Sequence, residues 1–398
     1  MFHFRQHNSD TVYGVLIDIS SGSVGVAIVM SAPTREKLPR ILYTHRNTMR
    51  ISSHTSEKFS DIRTLHEALF SALLTLSQDG LQVLTKHDPK AVISKLFLTS
   101  SSPWSYTVSK TVHYENDEPF KITETVINDL IQSAETEIFN HLHEQAHTAR
   151  EEFSVVERVT VDMTVNDYPV LHPINLCGVS LGLSHVAGII PQDIIDAVHE
   201  VQEKLFPNTE LKIHTYMLVM FCVMRDIFPR LNSMCMVDIT AESTEFAVVD
   251  KGLLIENEAV AIGSSTFVRN VMVATDKPAN DIQSYMAFSD DDAHLVSPDF
   301  DEQIQEYEHN LTDLITQTMS RHAIPTDIIV TTHKQYEHFF APIIARAFEK
   351  ALNVKPNILS IKNEIIEEIS EGAEEDVYIA ISARFFHKLH GCGELDYK

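Results

Sequence analysis

Several scarcities set the first limits on this chain. Cysteine occurs 4 times in 398 residues, as Cys177, Cys222, Cys235 and Cys392. With no CxxC spacing among them, they argue against a disulfide framework and a zinc site, a reducing compartment is expected, and the four read as small buried apolar side chains. Basic residues are also few: 31 Lys and Arg stand against 56 Asp and Glu, for a net charge of −25. That excess repels phosphate backbones and anionic lipid headgroups, so neither nucleic acid nor direct membrane insertion is expected, whereas a basic partner segment is. Long apolar runs are missing as well. The longest, Tyr216 to Met224, stops after nine residues at Arg225, far short of the roughly 20 that span a bilayer. The N-terminal MFHFRQHNSD has no apolar signal core, which points to a cytoplasmic protein.

What is present is an ordinary globular composition, 44% hydrophobic and 22% charged, long enough for two or more folded units with sizeable cores. Residues 12–30, VYGVLIDISSGSVGVAIVM, read as strand, Ser/Gly turn and strand. Ile62, Leu65, Leu69, Leu73 and Leu76 recur at helical spacing and predict a helix from about Lys58 to Leu76. Ile93 to Thr99 reads as a strand leading into Ser100, Ser101, Ser102 and Pro103. From about 105 to 187 the pattern changes to strand, long helix, strand, strand. Thr123 is placed to cap that helix, strands are expected at Phe153 to Val165 and Val179 to Ile189, and Asn166 to Pro169 reads as a turn. Pro191 opens a further helix through Ile194, Ile195, Val198, Val201 and Leu205.

The strongest organisational signal is an internal repeat at a constant offset of 220 residues. DISSGSVGVAIV (18–29) aligns with DITAESTEFAVV (238–249), with Asp18/Asp238, Ile19/Ile239, Ser23/Ser243, Ala27/Ala247 and Val29/Val249 identical. Strand residues come from a small menu, so unrelated hairpins can share some of these; the match along the whole segment favours duplication. Two similar α/β halves, each opening on a hairpin whose turn carries an Asp, would bring the turns face to face across a cleft. Backbone N–H groups in tight turns cradle phosphate oxygens, hydroxyls add donors, and two facing carboxylates can hold a hydrated Mg²⁺. Asp18 and Asp238 are the candidates for that last role; the plainer alternative is that each caps its own turn.

These motifs resemble the actin-like ATPase superfamily and, within it, the FtsA/PilM branch. DISSGSVGVAIV is similar to that family's first phosphate motif, and VDITAESTEFAVVDKGLL with AVAIGSSTFVRNV to its second phosphate motif and the strand-to-helix step behind it. Residues 105–187, including VNDYPVLHPINLCGVSLGLSHVAGII, resemble the inserted 1C (SHS2-like) subdomain that marks the branch. TDIIVTTHKQYEHFFAPIIARAFEKAL sits where the family has its adenosine loop, and DVYIAISARFF resembles its closing helix. The resemblance implies a duplicated, ribonuclease H-like α/β fold. Its first half would comprise 12–104 and 188–236, with the insert at 105–187, the second half at 237–355, and a C-terminal helix within 356–398 returning to the first half. It also implies an MgATP site. Asp18, Ser20, Ser21, Gly22 and Ser23 would form the first turn, Asp238, Thr240, Ala241, Ser243 and Thr244 the second, and Thr331, Thr332 and His333 the adenosine side, with Asp18 and Asp238 holding metal through water.

The chain departs from the family pattern at its glycines. Ser20 follows Asp-Ile where glycine is usual, Thr240, Ala241 and Glu242 replace a Gly-rich turn, and Thr331 to Gln335 contains no glycine. Glycine is favoured where backbone must approach a phosphate, because a Cβ adds bulk there. Glu242 adds negative charge beside the phosphate position, and His214-Thr215-Tyr216-Met217 offers no Glu or Gln to orient water. Two readings stay open: an altered nucleotide pocket lined by hydroxyls, or a pseudo-ATPase that keeps the fold as a scaffold. Loss of several positions together favours the scaffold and argues against hydrolysis more than against binding. By resemblance, a PilM-like member would dock the cytoplasmic tail peptide of an inner-membrane protein in the groove between the first half and the insert. It would serve type IV pilus or related assembly, be recruited to the inner face of the membrane by its partner, and be compatible with self-association. The alternative is an active actin-like ATPase or an FtsA-like cell-division protein; the ending HKLHGCGELDYK, without a linker and amphipathic helix, favours the PilM-like member.

Three further features have plainer readings. His143-Glu144-Gln145-Ala146-His147 fits the zinc-binding HExxH pattern, but its polar surroundings suit a solvated helix end. The acidic stretches Asp290 to Glu308 and Glu364 to Asp376 read as a solvated loop and an exposed helix face. Trp104, the single tryptophan, reads as a core or hinge contact at the entrance to the insert.

Overall fold

A computed structural model describes residues 11–32, 37–49, 62–145, 152–288, 300–361, 363–373 and 376–391. The chain begins with an antiparallel meander, β1 (Val12–Ser20), β2 (Ser23–Ser31) and β3 (Arg40–Thr48), then α1 (Ile62–Thr75), a π turn over Leu76–Gly80 and α2 (Leu81–His87). β4 (Ile93–Ser100) leads into β5 (Tyr106–Lys121), α3 (Glu124–Gln145), β6 (Phe153–Val165), β7 (Tyr168–Pro169) and β8 (Cys177–Pro191). α4 (Gln192–Leu205), β9 (Glu210–Thr215) and α5 (Tyr216–Ile227) follow. The second meander is β10 (Met234–Ile239), β11 (Thr244–Asp250) and β12 (Leu253–Val260), with α6 (Ser264–Thr275), α7 (Ala279–Phe288) and α8 (Asp301–Met319) behind it. β13 (Asp327–Thr332), α9 (Glu337–Leu352), β14 (Asn357–Ser360), α10 (Asn363–Ile369) and α11 (Val377–Gly391) complete the order.

The repeat in the sequence is a repeat in topology. One five-stranded sheet runs β3-β2-β1-β4-β9 and the other β12-β11-β10-β13-β14. In each, a meander is joined by parallel strands, and the equivalent pairs Asp18↔Thr99 and Asp238↔Thr331 stand in register. β2 is buried along its whole length and β10 likewise, as expected of central strands covered on both faces. α1 and α4 cover the outer face of the first sheet through Leu65, Leu69, Ile194 and Val198. On the second, α6 to α9 contribute Phe267, Ile282, Leu311 and Phe340.

The inner faces share one core. Leu16, Ala27 and Phe97 of the first sheet and Met236, Ala247 and Ile329 of the second pack with α5 and α11. This explains the longest apolar run: every residue from Tyr216 to Met224 is buried, because a helix sandwiched between elements has no face left for water. A leucine or methionine truncated to alanine in such a core costs about 2 to 5 kcal/mol. The four-stranded sheet β5-β8-β6-β7 carries α3 on one face, through Leu130, Ala134 and Leu183. Thr123 caps α3 as expected, its Oγ1 accepting from Val126 N at 3.4 Å.

Three expectations need correction. Residues 301–308 are not a solvated loop but the start of α8. Ile304, Tyr307, Leu311 and Ile315 bury one face of it, and Glu308, 3% exposed, pairs with Arg346 at 2.8 Å and with Lys350; acidic density masked the helical apolar period. Asp376 is not on an exposed face but is half-buried and paired with Arg46 of β3. Cys177 is exposed, whereas Cys222 and Cys235 are buried. Lys58 to Asp61, Asp290 to Asp292, Cys392 and the side chains of the HExxH run lie outside the described residues. Among the described residues no helix is long and apolar enough to cross a membrane.

Candidate functional site

The β1–β2 and β10–β11 turns lie at the carboxyl ends of β1 and β10 and touch each other. Ser21 Oγ donates to Thr240 Oγ1 at 2.9 Å and accepts from Glu242 N at 2.8 Å. Ser243 Oγ donates to Ser102 O at 2.9 Å, tying the second turn to the loop after β4. Trp104 is a core contact that joins the same region, its indole N–H reaching Ser20 O at 3.3 Å. Gly22 lies so close to Ala241 that a Cβ built there would fall on the alanine methyl. Glu242 turns away from the turns to pair with Arg269, and its carboxylate accepts from Thr266 Oγ1 at 3.1 Å.

The two aspartates are wholly buried, and neither acts as a simple turn cap. Asp18 Oδ2 accepts from Arg46 NH2 at 2.8 Å. Register explains the contact: Asp18 stands opposite Gly25, and Gly25 opposite Arg46. With no side chain on β2 at that point, the guanidinium crosses the strand; a Cβ on Gly25 would come within 2.5 Å of Arg46 NH2. Arg46 also donates through Nε and NH2 to both oxygens of Asp376, at 2.8 and 3.0 Å, and through NH1 to Ser23 Oγ at 2.9 Å. Asp376 in turn caps α11, accepting from Ile379 N at 3.1 Å. Burial raises the Asp18 carboxyl to about 6 against the opposing pull of Arg46. For Asp376, burial also raises, but the fork of Arg46 outweighs it and the carboxyl stays below its ordinary range.

Among the described residues no cation pairs with Asp238. Its Oδ1 accepts from Thr331 Oγ1 at 2.8 Å and Tyr378 OH at 3.1 Å. Burial and then the charge of Glu245 push its carboxyl up to about 8. His333 packs its ring 5.3 Å from that of Tyr378, and burial lowers it to about 4, so it is neutral. Thr244 faces away, donating to Ile262 O at 2.8 Å. Among the described residues, buried Asp18 Oδ1, Ser20 Oγ, Tyr216 OH, Asp238 Oδ2 and Thr332 Oγ1 have no hydrogen-bond partner. The residues named from the resemblance are thus brought together, and a polar floor is kept. As arranged, the turns meet at Gly22 and Ala241, which leaves no room between them for a phosphate chain, and Asp18 Oδ2 is taken by Arg46 while Asp18 Oδ1 and Asp238 Oδ2 have no hydrogen-bond partner among the described residues. Arg46, Asp376 and Tyr378 were not picked out from the sequence; the only signal for Arg46 was a register that appears once β2 and β3 are paired.

A second site lies on the four-stranded sheet. Beyond β8, β6 pairs with β7 at Thr164 and Val165, and Met163 O accepts from Val170 N at 2.8 Å, so among the described residues its edge has no further strand beside it over Val159–Asp162. Beside it is a cavity of about 120 Å³ lined by Val161, Asp162, Met163, Pro169 and Leu171 among others. Leu171 in its lining is 82% exposed, and Tyr168, next to Pro169 in the chain, is 75% exposed. The base of β6 is anchored to the first sheet by Glu157, whose Oε1 accepts from Thr215 N and Oγ1, both at 2.7 Å, while Oε2 meets His214 Nδ1 at 2.7 Å.

No protein-family model matches the chain, and no curated protein matches it by sequence. Solved structures do match by shape. The PilM–PilN type IV pilus biogenesis complex aligns with TM-score 0.53 and 9% identity over 94% of this chain and 98% of that one. The ethanolamine utilization protein EutJ from Carboxydothermus hydrogenoformans gives 0.45 and 8% over 94% and 89%. A Bacteroides thetaiotaomicron protein described as having an actin-like ATPase fold and unknown function gives 0.43 and 9% over 96% and 98%. Together with the duplicated sheets, the first of these identifies the fold as that of the actin-like ATPases.

Proposed function

We propose that this protein is a cytoplasmic actin-fold scaffold that docks an extended, basic segment of an inner-membrane protein along β6, with its nucleotide site degenerate. The observation that carries the reading is the open β6 edge beside a cavity of about 120 Å³. Pockets for nucleotides and other small molecules run from roughly 300 Å³ upward; this one suits a single apolar side chain. An exposed edge supplies main-chain donors and acceptors to an added strand, and a pocket beside it reads alternate side chains. Asp162 in the lining and a net charge of −25 favour a basic segment. The matched PilM–PilN complex supports a PilN-like partner and a place in type IV pilus or related assembly, with recruitment to the membrane through that partner.

On this reading residues 12–104 and 188–236 form one half, 105–187 the docking insert, 237–355 the other half, and 356–398 the helix returning to the first. Glu157 ties the insert to the first half through Thr215 and His214. The test is calorimetric titration with a synthetic peptide of the cytoplasmic segment of a PilN-like protein from the same genome. Leu171→Ala and Asp162→Lys are each expected to weaken binding about tenfold, the loss of one buried apolar or charged contact. Binding unchanged in both, or absent from the unmodified protein, removes the docking reading.

A further inference from the structure

We propose that Arg46 is the resident cation of the cleft, held where a nucleotide-bound metal and phosphate would otherwise sit, and that it braces the two sheets and α11 as a fixed joint. The inference rests on the degenerate-site part of the functional reading and not on peptide docking. Three independent elements converge on one guanidinium. β1 supplies Asp18, β2 supplies Ser23 and the gap at Gly25, and the N-terminus of α11 supplies Asp376. The planar fork bonds both oxygens of Asp376 and still reaches Asp18, an arrangement for which lysine has neither the plane nor the donors.

The brace spans the shared core. Arg46 lies over the Tyr378 ring, 5.6 Å from its centroid, and the Tyr378 hydroxyl donates to Asp238 on the second sheet. A single chain of contacts therefore runs from Asp18 through Arg46 and Tyr378 to Asp238, with Asp376 branching from Arg46, and so joins the two carboxylates that the resemblance assigns to metal. Arg46 is 16% exposed at its side chain and Asp18 wholly buried, so removing the cation strands a carboxylate in the protein interior, the costly half of any buried ion pair. The two acids left without their cation, Asp18 wholly buried and Asp376 half-buried, are also the carboxylates a small guanidinium or a divalent ion would seek.

The test uses the full chain and reads thermal unfolding. Unmodified protein is expected to show no shift with MgATP and no binding heat in calorimetry. Arg46→Ala is expected to unfold about 5 °C lower, as loss of a buried pair does in a chain of this length, and to regain part of that loss with non-denaturing methylguanidinium but not with methylammonium or sodium chloride at equal ionic strength. Should Arg46→Ala not fold, Arg46→Lys serves, and a midpoint below the unmodified protein is expected because the fork is lost. Submillimolar MgATP binding by the unmodified protein, equal rescue by sodium chloride, or an Arg46→Lys midpoint equal to the unmodified one overturns the proposal. Peptide affinity is untouched by these outcomes, so failure of the brace and failure of the docking reading are told apart.

Discussion

Asp18 and Asp238 hold the same place in two sheets of the same strand order, each with a threonine on the parallel side, yet across the meanders their cross-strand neighbours differ at every step. Across the first meander the row is Asp18, Gly25, Arg46; across the second it is Asp238, Glu245, Ala259. Where the first row has a gap and a cation, the second has another carboxylate and a methyl group. Glu245 finds Asn257 Nδ2 at 2.7 Å and is itself raised by burial to about 7. The consequence is a pair of buried aspartates in opposite states near neutrality, Asp18 ion-paired and Asp238 holding its proton. Duplication sets where a carboxylate lies; the residues two strands away set what it does.

The comparison is broken most severely by Arg46→Ala, which converts the first row into a second one. Leaving Asp18 and Asp376 without their cation is expected to cost about 3 to 5 kcal/mol, read by denaturant unfolding at pH 7. Asp238→Asn breaks it from the other side. The folded protein keeps the Asp238 proton to about pH 8, whereas an unfolded chain releases it near pH 4. Between these values the unfolded state binds fewer protons, so this group's contribution to stability falls as pH rises and levels off above the folded value. Unfolding curves at pH 5 and pH 9 are therefore expected to show Asp238→Asn gaining a few kcal/mol on the unmodified protein at the alkaline end.

Gly25→Ala tests the gap alone. The new methyl would meet the guanidinium, and a loss of roughly 1 to 3 kcal/mol is expected from the forced shift. The smallest effect is expected from transplanting the first row into the second. Glu245→Gly with Ala259→Arg removes a repelling carboxylate and offers a cation; a recovery of about 1 kcal/mol at pH 9, absent at pH 5, is expected in the same assay.

Much of the frame was legible before any coordinates. The offset of 220 residues became two sheets of one order, because strand sequence and strand topology repeat together when a half is duplicated. Thr123 as a cap, Phe153 to Val165 as a strand, and Tyr216 to Met224 as a short but wholly apolar segment all rest on local periodicity, and each is found where that periodicity puts it. The chemistry of the cleft was less legible. Arg46 lies in a polar strand, RILYTHRNT, and nothing in that string sets it apart until Gly25 is seen opposite. Asp376 sits at the end of an acidic run, where charge density hid a helix cap just before VYIAIS. Glu157 looks like any exposed strand acid, and its partners Thr215 and His214 lie far along the chain. Long-range pairing set all three, and a single sequence does not display it.

The most direct measurement of the account is the affinity of the PilN-like tail peptide for the unmodified protein with and without MgATP. A scaffold whose cleft is braced by its own arginine is predicted to bind the peptide equally in both conditions. Tightening of tenfold or more on adding MgATP, equivalent to about 1.4 kcal/mol of coupling, would contradict it and make the cleft a nucleotide switch.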